Sequence, residues 1–426
     1  MPIQPFTPAR PGPQRPVSLL APAPVSLGIA GLPGVRTLHS PAFRLLIATT
    51  IALLGGLVLG AAMLRQASQP GGQFGIDLAD YRLAAERIAA TGSPYAPEML
   101  LGPIDAQGQD RYRYPPPLAQ VLIPTTALAA GTAASLWLVL QAIATITAVW
   151  LALGVAGVRR HAERAAWSVA GCVLFMPVFD TLWKGNVSGF VALGVTFAAM
   201  GGARAGIGAM GATLLKVAPV TMLPVLLGGG RRAMGAAGLT AAIGVGLSVL
   251  LAPQAWADYL VVLPNLLAGS SDHATNLAPA ATLARLGAPA AMVDVARLAA
   301  GAVAVACTLA APLVAWRRQG VPGWAAATTL GVAAMLLLPA ACWYHYLVAL
   351  LPVAALAWPV ASIRARVALL VAAALITAGV AALASATIGA TLLVMVALRV
   401  HLRAGAPTAR TVRPPMAPHA SIAPAA

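Results

Sequence analysis

Apolar runs of 18 or more residues follow one another along almost the whole chain, separated by short polar clusters. A helix of that length crosses the ~30 Å hydrocarbon core of a bilayer. Spans are predicted near 45–63, 133–157, 165–181, 187–202, 234–252, 291–316, 323–341, 346–360, 366–383 and 385–400. The stretch 118–130 is apolar but too short to cross, and is expected to lie in the interface. A transmembrane β-barrel would show short alternating segments instead. Lipid satisfies no backbone polar group, so helices remain as the way across. The predicted fold class is all-α: a polytopic helical integral membrane protein with about 10–12 membrane helices.

Residues 205–229 break this pattern. They are apolar, yet they are bounded by Arg204 and by Arg231-Arg232, so both ends read as lying on the same side. Two full crossings need about 40 residues, more than this stretch holds. A re-entrant hairpin of two short helices fits, with Lys216 and Pro219 near its tip. Irregular backbone at that depth is tolerated only against protein or a water-lined cavity. The polar segments 64–117 and 253–290 are predicted as outer loops. The Pro-rich stretches 1–44 and 404–426 read as disordered cytoplasmic tails, leaving 45–403 as the membrane domain.

Composition and charge fix the solvent and the orientation. Hydrophobic residues make up 59% of the chain and charged residues only 9%, against about 25% charged in soluble domains. The net charge of +16 does not point to nucleic acid, because the basic residues are not gathered with interleaved aromatics. They sit between apolar runs, as cytoplasmic membrane loops do. With the N-terminus inside, 18 of the 27 basic residues face the cytoplasm, and of the 11 acids only Glu163 does. The outer surface, periplasmic or extracellular, is therefore where acid–base chemistry is expected. Cys172, Cys307 and Cys342 lie in apolar runs without Cys-x-x-Cys spacing, which argues against a disulfide framework or a zinc site. Walker A, Gly-x-Gly-x-x-Gly and His-Glu-x-x-His motifs are absent, which disfavours nucleotide-driven chemistry and a zinc protease.

Several polar residues have two readings each. Asp77 and Asp80 are three apart at the start of a helix-forming stretch and share a face. They can cap that helix, or one can be a general base whose pKa is raised by its neighbour or by desolvation. Lys216 costs ~2.5–3.5 kcal/mol at the centre of a membrane helix. It either snorkels to an interface or meets an anion such as phosphate. His345 stands among Trp343, Tyr344 and Tyr346 at the outer end of a span, as a satisfied structural residue or a functional one. Tyr112, Tyr114 and the following prolines form a rigid extended segment or a platform for a sugar. Lys184, Asn186, Asn276 and Arg285 are further polar residues of the outer face.

In order and spacing these motifs resemble the polyprenol-phosphate-sugar-dependent enzymes of glycosyltransferase family 87, within the GT-C superfamily. The resemblance covers most of 45–360. It runs through Asp77 and Tyr81, Gly92-Ser93-Pro94-Tyr95, Tyr114-Pro115-Pro116, Lys216-Val217-Ala218-Pro219, Asn276 with Arg285 nine residues on, and His345. The family's Gly-Gln-x-Asn is Gly185-Asn186-Val187-Ser188 here, and its Asn-Gln-Ser is Asn276-Leu277-Ala278. The resemblance implies a GT-C fold and transfer of a sugar, mannose first, from a polyprenyl phosphate to an envelope glycolipid or glycan, with inversion. It implies Asp77 as the base. Lys216, His345 and Arg285 are then expected at the donor phosphate, and Asp80, Tyr81, Tyr114, Asn186 and Asn276 at the sugars. No cofactor is expected, and no dense carboxylate cluster calls for a divalent metal. A polytopic transporter or a lipid-linked sugar flippase is the alternative. Transporters often carry matching broken helices in two halves, whereas this chain has one hairpin.

Overall fold

The computed structural model describes residues 40–67, 74–102, 112–268, 275–318, 320–379 and 382–404. The two predicted tails lie almost wholly outside these residues, as do Asp105, Asp110 and Arg111. The chain divides into two units, Met1–Arg44 and Leu45–Ala426, and the second carries everything below except the first residues of the first helix. Its described residues contain helices and no strand.

In chain order the α-helices are α1 (Pro41–Ala67), α2 (Ile76–Thr91), α3 (Pro116–Thr126), α4 (Ala130–Val155), α5 (His161–Leu174), α6 (Met176–Lys184), α7 (Ser188–Met200), α8 (Gly202–Leu215), α9 (Gly230–Leu251), α10 (Pro253–Ala268), α11 (Pro279–Arg285), α12 (Ala290–Arg317), α13 (Val321–Leu337), α14 (Leu350–Ala357), α15 (Ile363–Ala378) and α16 (Leu383–Arg403). Tighter 3₁₀ segments at Ala218–Gly229 and Tyr344–Ala349 interrupt them.

The protein is a polytopic helical membrane protein, but its long helices are fewer than the apolar runs suggested. Five stretches are long and apolar enough to cross: Pro41–Arg65, Ala130–Val155, Ala218–Leu251, Ala290–Arg317 and Leu383–Arg403. The pair α5 and α6 adds a sixth if a 76° bend is allowed within one span. Several of the other apolar runs form shorter or broken helices, because apolar length does not guarantee a continuous helix. The run predicted at 165–181 breaks at Phe175, where the backbone is extended and Pro177 opens the next helix. The run at 346–360 starts as a 3₁₀ segment. The stretch 118–130 forms only the 11-residue α3.

The hairpin at 205–229 is present as a double reversal. A Cβ placed on Gly206 would meet Ala233 and Ala237, and one on Gly244 would meet Leu214. Helices α8 and α9 therefore run parallel, and the 3₁₀ segment between them returns antiparallel to both. Its two ends share one neighbour, since Gly201 and Gly229 both abut the Trp324 indole. Lys216 lies at the far tip. The reversal at Gly230, with φ 70° and ψ −167°, leaves α9 alone, at 22 residues, as the crossing part of Ala218–Leu251.

Small residues let these helices approach closely. A Cβ on Gly194 of α7 would lie 2.7 Å from the Gly208 carbonyl oxygen of α8. The main core runs through α4, α7, α8, α13, α14 and α16 and is rich in alanine and valine. A second cluster, around Tyr81, Tyr95, Tyr112, Trp137 and Tyr259, joins α2, α3 and α10. Exposed Arg204, Arg231, Arg232, Arg317 and Arg318 gather at the Trp324 end of the hairpin, opposite Lys216.

Candidate active site

Helix α2 begins at Gly75, whose left-handed backbone (φ 70°) turns the chain into the helix while its N–H donates to Trp183 O at 2.8 Å. No side chain caps this helix, so Asp77 has another task. Its Oδ2 accepts a 2.7 Å hydrogen bond from Asn186 Nδ2. One turn on, the Tyr81 hydroxyl lies 3.1 Å from the same nitrogen, and the Tyr114 hydroxyl also lies at 3.1 Å. An amide nitrogen has two hydrogens for these three oxygens, and the shortest contact goes to the carboxylate.

The other side of the amide faces cations and donors. Asn186 Oδ1 accepts from Ser188 Oγ at 2.7 Å and Ser188 N at 3.1 Å, and Lys216 Nζ stands 3.5 Å away. The carboxylate can only accept and the ammonium can only donate, so this arrangement fixes which way the amide points. Asn186 is completely buried. Its position follows from the turn before it: Gly185 takes φ 70° at the end of α6, and a Cβ there would lie 2.9 Å from Leu78 Cβ. The Gly185 carbonyl oxygen accepts from Trp137 Nε1 at 2.7 Å, which pins the turn to α4.

Lys216 is 6% exposed at the point where α8 ends and the backbone becomes extended (φ −154°, ψ 132°). It does not snorkel. Its ammonium sits 3.5 Å from the centroid of the Tyr346 ring and 5.7 Å from that of Tyr114. Among the described residues no carboxylate forms an ion pair with it. A desolvated cation–π contact is worth on the order of 2 kcal/mol, less than the desolvation of a buried ammonium. A narrow cleft opens beside the ammonium, lined by Ser188, Val191, Ala218, Met335 and Tyr346.

Tyrosines frame the other side. The Tyr81 and Tyr114 rings meet edge-on at 4.9 Å. Tyr112 accepts from Ala119 N at 2.9 Å and donates to Pro115 O at 2.7 Å, and so holds the start of α3. Tyr95 donates to Tyr114 O at 2.9 Å. Burial is the main cause that raises the Tyr81 and Tyr114 phenols above the ordinary range. Both stay protonated at neutral pH and keep a hydrogen to donate. The Tyr112–Pro115 segment is extended, as expected from its prolines, with Pro115 at φ −59° and ψ 155°.

His345 is 4% exposed, and its ring centroid lies 5.1 Å from that of Tyr346. Its Nδ1 is 3.4 Å from Asp180 Oδ2, and Asp180 Oδ1 is 3.1 Å from Lys184 Nζ. Asp77 and Lys216 both exert Coulombic effects on the imidazole. Asp180 was not singled out from the sequence. The available signal was an acid inside a predicted span, four residues before a lysine.

The remaining predicted residues lie differently. Asp80 is half-buried one turn along α2 from Asp77. Asn276 is completely buried, but its amide is taken up by backbone: Nδ2 donates to Ala340 O, and Oδ1 accepts from Ala278 N and Cys342 N, each at 2.9 Å. Arg285 is exposed at the end of α11 and donates to Thr282 Oγ1 at 3.2 Å, away from the Asp77 cluster. Among the described residues no group of three or more His, Cys, Asp or Glu is placed to hold a metal ion.

No curated protein and no solved structure matches this chain. The model of glycosyltransferase family 87 matches residues 112–339, a stretch that includes Tyr114, Asn186 and Lys216. That match spans more than half of the sequence and covers the hairpin and the amide at the centre of the site, so the chain belongs to glycosyltransferase family 87 and is a membrane glycosyltransferase.

Proposed function

We propose that the enzyme moves a sugar, with mannose as the first candidate, from a polyprenyl phosphate to an envelope glycolipid or glycan, with inversion at the anomeric carbon. The observation that carries this reading is the relay Asp77–Asn186–Lys216. A single buried amide there holds a carboxylate on one side and an uncompensated ammonium on the other.

The chemistry needs that polarity. The acceptor hydroxyl loses its proton to Asp77 as its oxygen forms a bond to the anomeric carbon. The bond from that carbon to the phosphate oxygen breaks on the opposite face, and its electron pair leaves with the phosphate. A phosphate leaving group needs charge stabilisation more than a proton, and preorganised cations in a water-poor site supply it without reorganising. Lys216 is placed for that role, with His345 beside it. Tyr81, Tyr114 and Asn186 offer hydrogen bonds to sugar hydroxyls, and Asp80 lies on the same helix as the base. The prenyl chain would lie in the bilayer, with its phosphate at the hairpin tip.

The basic end of the bundle at Trp324 supports an orientation with that end cytoplasmic. The active face would then be the outer one of the cytoplasmic membrane.

The test uses purified protein in nanodiscs, wild type beside Asp77→Asn, with radiolabelled polyprenyl-phosphate mannose and an envelope-lipid extract. Label moving to a new lipid or glycan with wild type alone is the expected result. Full activity in the folded variant would remove Asp77 from the base role. Label staying on the donor with both would mean that the donor is another lipid-linked sugar or that the acceptor lies outside the extract.

A further inference from the structure

The contact of His345 with Asp180 has no part in the mechanism above, yet its setting is constructed. The 76° bend at Phe175 turns α6 so that Asp180 faces the 3₁₀ segment carrying His345. The chain is fixed just before the histidine. The Asn276 amide holds Ala340 and Cys342, Leu277 N donates to Cys342 O at 2.7 Å, and the Tyr344 hydroxyl donates to Ile376 O at 2.6 Å. The backbone leading into the ring is therefore set, and among the described residues Asp180 is the carboxylate within ion-pair range of the imidazole. Both ring nitrogens are buried without a hydrogen-bond partner of normal geometry. One of them, Nδ1, is 3.4 Å from the Asp180 carboxylate, within reach of a small adjustment. The other, Nε2, has no neighbour of this kind, and the ring lies 5.1 Å from that of Tyr346, over which the Lys216 ammonium rests.

We propose that Asp180 is a positioning residue for sugar transfer, which holds the proton on His345 Nδ1 and so presents Nε2 to the donor phosphate or the sugar bound beside Lys216. A neutral imidazole carries one proton, and the nitrogen that holds it is decided by the partner of the other. A carboxylate accepts only, so it retains the proton on Nδ1. When Nε2 also gains a proton, the same carboxylate offsets the charge of the imidazolium. Lys184, one turn along α6, stands 3.1 Å from Asp180 Oδ1 and donates to Oδ2 at 3.3 Å, and so holds the carboxylate in place. The proposal rests on the transferase reading of the site.

The test has one arm that needs no substrate. The full chain is labelled with ¹⁵N-histidine and placed in nanodiscs as wild type, Asp180→Asn and His345→Gln. The signal missing from His345→Gln identifies the ring. In wild type its Nδ1 is expected at the shift of a protonated nitrogen, and in Asp180→Asn both ring nitrogens are expected to move toward tautomer-averaged values. Unchanged shifts would overturn the proposal. In the kinetic arm, Asp180→Asn is expected to lower kcat by roughly 10-fold to 100-fold, as loss of a carboxylate behind a histidine does in metal sites, with the donor KM changed less. The double variant is expected to lose no more than His345→Gln alone, and losses that multiply would overturn the pairing. If wild type transfers nothing from polyprenyl-phosphate mannose, the donor reading falls, while the nitrogen shifts still decide the role of Asp180.

Discussion

Asn186 and Asn276 are the same residue type, both completely buried and both with saturated amides, yet they organise two different regions. Around Asn186 the partners are mostly side chains: a carboxylate, two phenols, a serine hydroxyl and, at 3.5 Å, an ammonium, beside the backbone N–H of Ser188. Around Asn276 the described partners are backbone groups of its own turn and of residues 340–342. Burial and hydrogen-bond count do not separate them. The nature of the partners does, since side-chain partners can exchange for a substrate, whereas backbone partners in a packed turn cannot. In the first region the amide joins the side chains of the proposed catalytic site. In the second it staples the segment that carries His345.

The comparison breaks most sharply at Asn186. Asn186→Ala is expected to lower kcat on the order of 100-fold to 1,000-fold, the scale seen when one preorganised donor is removed from a buried polar site. The melting temperature is expected to change little, because Tyr81, Tyr112 and Tyr114 still hold α2 and α3 together. Steady-state transfer with a thermal melt alongside decides it, and a large fall in melting temperature with normal kcat in the folded fraction would place Asn186 with Asn276.

The reverse is expected of Asn276→Ala. It leaves buried backbone groups at Ala278, Ala340 and Cys342 without this partner, and a buried group left unpaired costs roughly 1–3 kcal/mol. The effect should appear as a lower melting temperature and lower yield, with kcat of the folded fraction largely kept. The smallest effect belongs to Arg285→Ala. An exposed side chain bonded to its own helix is worth within about 0.5 kcal/mol, so activity should stay within about twofold of wild type. A tenfold rise in the donor KM would show instead that α11 closes over the donor phosphate.

Particular residues show how far the sequence could be read. The re-entrant stretch was legible because arginines bound both of its ends and it is too short for two crossings. Its tip at Lys216 followed from those two facts. Lys216 stood out as a charge inside an apolar hairpin, whereas Asp77, Tyr81 and Tyr114 were singled out by the resemblance, since capping and an extended proline segment could also account for Asp77 and Tyr114. Asn276 could not be told from Asn186, because both find most of their described partners more than 60 positions away. Asp180 was overlooked because its run read as one straight span, and only the bend at Phe175 carries it to His345.

Hydropathy, charge placement and motif order by themselves determined the membrane environment, the all-helical class, the hairpin and the residues worth testing. These follow from local transfer energies, which depend on residue type and run length. Only the tertiary structure decided that one amide joins Asp77 to Lys216, that Tyr346 shields the ammonium, and that Asp180 stands behind His345. Contacts of that kind depend on bends and helix packing, whose energies arise between segments distant in sequence and leave no periodic trace along the chain.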